Sequence, residues 1–498
     1  MMTVPLQLIA CLLAGALITP ALAPFNVSGL ALLPPALLYL LSRQQPTNKA
    51  PWLGWFFGLG FFGSGVSWVF VSISEHSQTP LLIAIALTAL FVMALALLFS
   101  LQLYLWKRFF SGSIAWLSFI GIWLLFEWLR SWLFTGFPWL YIGYATLDTP
   151  LSSLFPIGGV WLASLATLFI SLCLAEGVSQ RKLSLLMLAP VPVLIALTIP
   201  AHWTTADEKP LKVTLIQPNI PQRIKWDSNY RPEIFYTYKN LSLKNLDTEL
   251  MLWPETAIPA LFQHAAKDLN PLLDQLDQQG VTLISGLPSM TTDPTQPKGY
   301  RLHNSVAALT NGSGIYHKQR LVPFGEYLPL ENYLRGLLDF FNLPMSSFSL
   351  PNKQQKSINI RGVNIAIAIC YEIAYPELVR SSSKHSGLLL TVSNDTWFGH
   401  SIAPAQHMQI AQARALENGR WLMRGTNNGI TAIVDPQGNV IKQLPQYQQG
   451  ALTAEVYAMQ GMTPYQQYGV IPSLVTALLM ALAGFRARKT TTTAEKYV

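Results

Sequence analysis

Charge is scarce in this sequence. Asp, Glu, Lys and Arg make up 12% of its 498 residues, which is half of the ~25% usual in a soluble domain. Hydrophobic residues account for 51%, and the mean hydropathy is +0.32. This composition excludes a disordered or fibrous chain, and it also excludes an enzyme that is soluble throughout.

Cysteine is scarce as well. The chain contains three cysteines, Cys11, Cys173 and Cys370, and three cannot form a disulfide framework. Cys11 and Cys173 lie in long apolar runs, whereas Cys370 stands apart from both. Cys370 is therefore the thiol to consider for chemistry.

Long apolar runs are abundant. A helix that crosses a bilayer needs roughly 20 mostly apolar residues, with ~17 as the lower end. Eight runs meet or approach this length: residues 5–23, 27–41, 52–73, 81–106, 114–134, 155–175, 183–201 and 469–485. The run 27–41 is the shortest and contains two adjacent prolines. We predict a membrane α-helical bundle of eight spans.

Lysine and arginine cluster beside these runs. The clusters follow the second, fourth, sixth and eighth runs and comprise Arg43, Lys49, Lys107, Arg108, Arg181, Lys182, Arg486, Arg488 and Lys489. Because such residues collect in cytoplasmic loops, the pattern predicts that both termini are cytoplasmic and that residues 203–468 lie outside the cytoplasm. The same placement accounts for the net charge of +8, so we expect no nucleic-acid partner.

The interval between the seventh and eighth runs has a different pattern. Short β-type runs cover residues 211–217, 250–253, 281–286, 305–309, 362–370, 387–393, 429–434 and 450–456, and helical patterns cover 230–246, 377–385 and 406–418. Strands that alternate with helices predict a layered α/β fold. We expect three parts: a bundle of seven spans at 1–202, an α/β domain at 203–468, and the eighth span with a tail at 469–498.

Three residues of this domain each follow a β-type run. Cys370 ends an apolar strand, Glu255 follows a strand that a proline closes, and Lys318 lies in a run dense in aromatics, Pro and Gly. A nucleophile needs a base for its proton and a cation for the developing oxyanion. Each residue alone also has a simpler interpretation: a packed core thiol, a carboxylate at a helix start, and a solvated lysine.

Together the three residues resemble the Glu-Lys-Cys triad of the nitrilase superfamily, which occurs in that order. With the apolar runs, the whole chain resembles the bacterial apolipoprotein N-acyltransferase family. Further matching motifs are EWLR (127–130), TGFPWL (135–140), QPN (217–219), GEYLP (325–329), CYE (370–372) and NDTWFG (394–399). The resemblance implies an αββα sandwich on the periplasmic side of the bacterial inner membrane.

The resemblance also implies a reaction. A fatty acyl chain would pass from a membrane phospholipid to a Cys370 thioester, and from there to the N-terminal S-diacylglyceryl-cysteine of an apolipoprotein. Glu326, Glu372 and Tyr371 would support the triad: a carboxylate near the nucleophile, such as Glu372, would orient Lys318, and Glu326 would instead support the base. Trp226 and Trp397 would shape the acyl pocket, and the stretch 323–348 would form an arm over it. Neither a metal nor another cofactor is expected.

Two other functions are open to this sequence. Eight spans would suit a transporter, but only Glu127 and Arg130 place charge near a span interior, and both lie close to its end; a path for polar solutes needs more. The same triad would also suit a membrane-tethered amidase that acts on a small amide. The acyl acceptor separates that alternative from the acyltransferase.

Overall fold

The computed structural model describes residues 3–76, 79–110, 114–296, 298–323, 325–327, 348–352 and 355–494. The chain forms two compact units. The first contains Met1–Phe70, Pro80–Ala201 and Gln467–Val498, and the second contains Val71–Thr79 and His202–Gln466.

The described helices, in chain order, are α1 (Val4–Ala16), α2 (Ile18–Ala21), α3 (Leu33–Arg43), α4 (Ala50–Gly65), α5 (Val69–His76), α6 (Leu81–Phe109), α7 (Ala115–Arg130), α8 (Phe155–Gln180), α9 (Leu183–Leu188), α10 (Val191–Ala196), α11 (Gln222–Lys225), α12 (Arg231–Leu243), α13 (Phe262–Gln278), α14 (Pro376–Ser383), α15 (Ala403–Asn418), α16 (Pro464–Tyr468) and α17 (Ile471–Ala494). The first ten and α17 correspond to the apolar runs of the sequence.

The predicted count of eight spans is not confirmed. Within the described ranges, three helical stretches are long and apolar enough to cross a membrane, Val4–Ala21, Leu81–Phe109 and Pro150–Gln180. A fourth crossing results only if Thr47–Gly65 and Val69–Glu75, which are bent by 58°, count as one. Three further runs give apolar helices of only 10–17 residues, Ser28–Arg43, Leu183–Ala196 and Ile471–Phe485. Proline interrupts one of these helices, because α9 ends before Pro190 and α10 begins after it.

Glycine lets helices of the first unit approach closely. A Cβ on Gly60 of α4 would collide with the carbonyl oxygen of Leu12 in α1, and a Cβ on Gly15 of α1 would collide with that of Phe57. On another side of α4, a Cβ on Gly54 would meet the carbonyl of Phe99 in α6. Small residues at such contacts are typical of helices that associate in a membrane.

The second unit contains thirteen described strands: β1 (Thr205–Gln217), β2 (Leu250–Trp253), β3 (Thr282–Thr292), β4 (Tyr300–Ala308), β5 (Gly312–Ser313), β6 (Ile315–His317), β7 (Ile358–Ile360), β8 (Val363–Ile369), β9 (Leu388–Ser393), β10 (Leu422–Thr426), β11 (Ala432–Val434), β12 (Val440–Gln443) and β13 (Gly450–Gln460). They form two sheets, ordered β13-β1-β2-β3-β4-β6 and β12-β11-β10-β9-β8-β7-β5.

The two sheets share one apolar core. Buried residues of both, among them Leu252, Ile284, Ile367 and Leu390, form a single cluster between them. A second cluster joins the outer face of the first sheet to α12 and α13, and α14 and α15 contact β8 and β10 of the second sheet. The layer order is therefore helix, sheet, sheet, helix, which is the α/β layering that the sequence predicted.

The predicted strands agree with the structure where they are apolar throughout. Strand β2 has the predicted bounds, 250–253, and β9 begins one residue later than predicted. Prediction missed β10, which lies between β9 and β11 in the second sheet, because Arg424 and Gly425 interrupt its apolar pattern. It also missed β5, β6, β7 and β12, which have only two to four residues each.

Candidate active site

The candidate site residues lie directly after strands. Glu255 follows β2 by two residues, Lys318 follows β6, and Cys370 follows β8. Strands β2 and β8 belong to different sheets, so the sandwich brings together residues that are far apart in the sequence. Side chains at strand ends are free of the sheet's regular alternation and can turn toward a common point.

The carboxylate of Glu255 is buried and fully bonded. Its Oε1 accepts from Asn304 Nδ2 at 2.8 Å and lies 3.4 Å from Lys318 Nζ. Its Oε2 accepts from the Asn394 backbone N–H at 2.9 Å. These contacts fix the side chain. They also place Glu255, the predicted base, directly beside Lys318, the predicted cation.

Lys318 is 1% exposed and lies between two carboxylates. Its Nζ donates to Glu326 Oε1 at 2.9 Å, in addition to its contact with Glu255. Burial disfavours the charged ammonium, but the charges of Glu326 and Glu255 outweigh it and raise the pKa of Lys318 above its ordinary value. The lysine is therefore a fixed positive charge at any physiological pH.

Cys370 has a strained backbone and a protonated thiol. Its φ is 53°, in the left-handed region that a residue with a Cβ rarely adopts. Burial, the charge of Glu255 and that of Asp395 raise its pKa to about 12, although Lys318 and the Ser393 hydroxyl, 3.4 Å from Sγ, act in the opposite direction. Such a thiol must lose its proton to a base before it attacks.

Glu326 and Glu372 have different neighbours. Glu326 contacts the ammonium of Lys318, and its other oxygen accepts from the Val322 N–H at 2.8 Å. Glu326, and not Glu372, is therefore the carboxylate outside the triad that contacts Lys318. The sequence analysis had expected Glu326 to support the base instead.

Glu372 binds the loop after Lys318 through the main chain. Its oxygens accept from the N–H groups of Gln319, Arg320 and Ile369 and from the Tyr316 hydroxyl. Burial raises the pKa of Glu372 to about 7 against these donors and the charge of Lys318. The described hydrogen bonds of Glu372 thus connect the loop after Lys318 to the end of β8, which Cys370 follows.

Behind Cys370 lies a polar network that sequence reasoning missed. His407 Nε2 lies 3.1 Å from the Cys370 carbonyl oxygen, and His407 Nδ1 lies 3.1 Å from an Arg424 guanidinium nitrogen. Arg424 also donates to Asp395 at 2.8 Å, and Asp395 accepts from Ser393 at 2.6 Å. Arg424 belongs to the unpredicted strand β10, so its contact with His407 had no signal in the sequence pattern.

A second lysine also escaped sequence reasoning. Lys225 is 2% exposed, and its Nζ donates to the backbone carbonyl of Glu255 at 3.1 Å. The sequence analysis singled out its neighbour Trp226 and did not consider Lys225. The apolar residues around it, Ile224 and Trp226, were the available signal.

Trp226 and Trp397 belong to one small apolar cluster. Both are partly buried and pack against a core formed by Leu321 and Phe348. The indole Nε1 of Trp226 is buried and has no hydrogen-bond partner among the described residues. Of the predicted arm at 323–348, residues 324 and 328–347 lie outside the described part of the chain.

Tyr371 lies next to Cys370 and is partly buried. Its ring meets that of Tyr375 edge to face, with centroids 5.2 Å apart. The Arg320 guanidinium lies over the Tyr375 ring, 5.6 Å from its centroid. The tyrosine is thereby linked to the same loop that Glu372 holds.

Within the described ranges, no group of three or more His, Cys, Asp or Glu side chains is arranged to hold a metal ion. The predicted triad instead consists of a carboxylate, an ammonium group and a thiol, on Glu255, Lys318 and Cys370. Such groups can carry out nucleophilic acyl transfer, in which a general base activates the nucleophile and a cation stabilises the oxyanion. That the site uses no cofactor stays a prediction.

Comparison with known proteins agrees with this chemistry. Residues 212–464 match the family described as carbon-nitrogen hydrolase, and residues 14–173 match the apolipoprotein N-acyltransferase N-terminal domain. The chain is thus a carbon–nitrogen hydrolase domain preceded by apolar helices. It belongs to the apolipoprotein N-acyltransferase family, as the sequence motifs predicted.

The similarity extends over nearly the whole chain. Apolipoprotein N-acyltransferase from Pseudomonas aeruginosa is 44% identical, over 96% of each chain. The protein of the same name from Vibrio vulnificus is 39% identical, over 97% of each chain. A carbon–nitrogen hydrolase from Helicobacter pylori matches 50% of this chain and 89% of its own at 16% identity with a TM-score of 0.37; the family assignment rests on the sequence matches alone.

Proposed function

We propose that this chain transfers a fatty acyl group from a membrane phospholipid to the N-terminal S-diacylglyceryl-cysteine of an apolipoprotein, the last step of lipoprotein maturation. The observation that carries the proposal is the buried contact between Glu255 and Lys318, both of which act on the pKa of the Cys370 thiol. Family membership supplies the substrate class, since the relatives bear the name apolipoprotein N-acyltransferase.

In the first half-reaction, Glu255 takes the thiol proton of Cys370. The thiolate attacks the ester carbonyl of the phospholipid, and the Lys318 ammonium stabilises the tetrahedral oxyanion. When the C–O bond breaks, the leaving alkoxide takes the proton back from Glu255. The products are a lysophospholipid and a thioester on Cys370.

In the second half-reaction, the α-amine of the diacylated apolipoprotein attacks the thioester. Glu255 takes a proton from the attacking amine, the C–S bond breaks, and the Cys370 thiolate is reprotonated from Glu255. The products are an N-acyl amide and free enzyme. Because a thioester lies above an amide in free energy, the sequence of steps needs no nucleotide.

We assign supporting roles to five further residues. Glu326 orients Lys318 through its 2.9 Å contact, and Glu372 holds the loop after Lys318. Tyr371 extends that support beside the nucleophile. Trp226 and Trp397, which share one apolar cluster, line the acyl pocket.

Both proposed substrates are lipids whose acyl chains lie in a membrane, and this is a physical reason for the enzyme to be attached to one. We propose that 1–202 and 469–498 form the membrane part, with eight crossings that include the shorter apolar helices at Ser28–Arg43, Leu183–Ala196 and Ile471–Phe485. Residues 203–468 then face the periplasm of a bacterial inner membrane, and both termini are cytoplasmic. A reporter fused after Val498 should read cytoplasmic and one inserted near Asp293 periplasmic; the reverse pattern would contradict the topology.

Intact mass spectrometry tests the acyltransferase proposal. Purified protein incubated with phospholipid in detergent should gain the mass of one acyl chain, which neutral hydroxylamine removes and which C370A never gains. Added diacylglyceryl-cysteine peptide should then accept that chain. Ammonia released from small amides, with phospholipid and peptide unchanged, would favour the membrane-tethered amidase instead.

A further inference from the structure

A buried lysine lies beside the candidate general base. Lys225 ends the short helix α11, is 2% exposed, and directs its Nζ to the Glu255 carbonyl oxygen at 3.1 Å. This carbonyl is the one hydrogen-bond acceptor that the described residues give it. Lysine is almost never fully buried unless it is paired, so its place at this position needs a compensating interaction.

The charges of the site supply that compensation. Glu255 and Glu326 carry two negative charges, and Lys318 carries one positive charge between them. A second ammonium brings these four groups to neutrality. Without it, the excess negative charge would oppose formation of a thiolate on Cys370, because like charge disfavours ionisation at low dielectric.

We infer that Lys225 is a positioning residue of the acyl-transfer site, which holds the main chain of Glu255 and stabilises the Cys370 thiolate by its charge. The inference rests on the proposed role of Cys370 as nucleophile. It does not depend on the identity of the acyl donor or acceptor.

The ionisation of Lys225 fits this role. Burial lowers its pKa to about 8, against the opposing charges of Glu255 and Cys370. Arg223 and Asp227 lie two residues from Lys225 on either side in the sequence. Lys318 contacts Glu255 and Glu326, and the charge of Asp395 acts on Cys370. Lys225 is thus mostly charged at neutral pH and becomes neutral as the pH rises past 8, so its effect on Cys370 should fade over that range.

Alkylation of Cys370 by iodoacetamide tests the inference without phospholipid or peptide. The rate is measured on the full-length protein in detergent from pH 6.5 to 10, with the Cys370 peptide resolved by mass spectrometry from those of Cys11 and Cys173. We expect K225M to react about ten-fold more slowly than wild type at pH 7, the size of effect that one unit charge has within a protein site. The difference should close above pH 9.

Three further variants separate charge from structure. K225Q, which keeps an N–H donor without the charge, should be as slow as K225M and also serves if K225M does not fold. K225R should restore at least half of the lost rate at pH 7, and R223M, which removes an exposed charge from the same helix, should match wild type. Equal rates for K225M or K225Q and wild type at pH 7, or the same loss in R223M, would overturn the inference. A missing phospholipid adduct would instead count against the proposed function alone.

Discussion

The imidazole of His407 is hydrogen-bonded to the backbone carbonyl of Cys370, with Nε2 3.1 Å from the oxygen. A carbonyl can only accept, so Nε2 carries the proton. Burial and the charge of Arg424 lower the pKa of His407, whereas Asp395, whose Oδ1 lies 3.2 Å from Nδ1, acts in the opposite direction. Nδ1 also lies 3.1 Å from Arg424, which is itself paired with Asp395. The histidine thereby contacts the carbonyl of a residue whose φ of 53° lies in the left-handed region.

We predict that H407A slows acyl-enzyme formation at least ten-fold. Loss of the bond leaves a buried carbonyl unsatisfied, at a cost of ~1–3 kcal/mol, and frees a backbone strained by a comparable ~1–3 kcal/mol. H407Q, whose amide N–H can donate to the same carbonyl, should recover part of the rate, and H385Q, at an exposed histidine, should match wild type. Rapid-quench measurement of the adduct checks this; an unchanged rate in H407A would remove His407 from the site.

The triad variants C370A, K318A and E255A should each form less than a hundredth of the wild-type product. Cys370 supplies the nucleophile, Lys318 the oxyanion partner and Glu255 the base, and the last two are in direct contact. C11A and C173A should be nearly silent, because both thiols are buried among apolar helices. Peptide acylation and detergent-solubilised yield are measured together; near-normal turnover in any triad variant would refute that residue's role.

Glu326 should matter for stability as well as for rate. Its carboxylate pairs with a Lys318 ammonium that is 1% exposed, and removal of one partner of a buried pair typically costs ~3–5 kcal/mol. E326A should therefore lower the thermal midpoint and the acylation rate together. E455Q, on the exposed side of β13, is the matched control; a thermal midpoint for E326A equal to that of E455Q would contradict the buried pair.

The free energy of unfolding should depend on pH partly through the ionisation of the Cys370 thiol. Its folded pKa is about 12 and its ordinary value is 9.0, so between these values the folded state holds a proton that the unfolded state has lost. Stability therefore falls as the pH rises above 9, while below that pH the group contributes no dependence. Denaturant unfolding at pH 8 and pH 10 should show a smaller loss for C370A than for wild type, and equal losses would mean an unperturbed thiol.

Trp226 should influence which acyl chain is accepted. It packs with Trp397 on the Leu321–Phe348 cluster, so W226A enlarges that space and should shift the adduct toward longer chains in a mixed phospholipid pool. W226F removes an indole N–H that lacks a partner among the described residues but keeps an aromatic ring in the cluster, so it should shift the chain distribution less than W226A does. Y236A, at an aromatic residue that is 67% exposed, is the control; identical chain distributions would exclude Trp226 from the pocket.

The layered α/β domain could be predicted from the alternation of strand and helix patterns. The three triad positions came from the resemblance to the nitrilase superfamily and stay a prediction, and the structure places Glu255 beside Lys318. Strand β2 and Glu255, for example, can be located without knowledge of the fold, because Pro254 ends the apolar run of the strand and Glu255 comes next. The network around His407 could not be predicted in this way. His407 on α15 contacts Cys370, and Arg424 on β10 contacts His407, through packing against the second sheet. An arginine inside a buried strand contradicts the apolar pattern by which strands are recognised.

The same limit applies to Lys225 and to the membrane part. A lysine is expected to be exposed from its residue type alone. The burial of Lys225 becomes understandable only when the structure shows that its Nζ donates to the Glu255 carbonyl. For the apolar helices, mean hydropathy identifies the runs but not the breaks that glycine and proline introduce. Helix length is therefore the property that the sequence predicted least well.

The pairing of β1 with β13 has a consequence for how this enzyme is assembled. These strands open and close the second unit, and they run antiparallel with Thr205 opposite Gln460. The chain thus enters and leaves the unit at neighbouring points, as in domains that tolerate insertion into a host loop. Because its first and last strands adjoin, such a domain can in principle be inserted into a loop of another protein, or removed from one, as a unit.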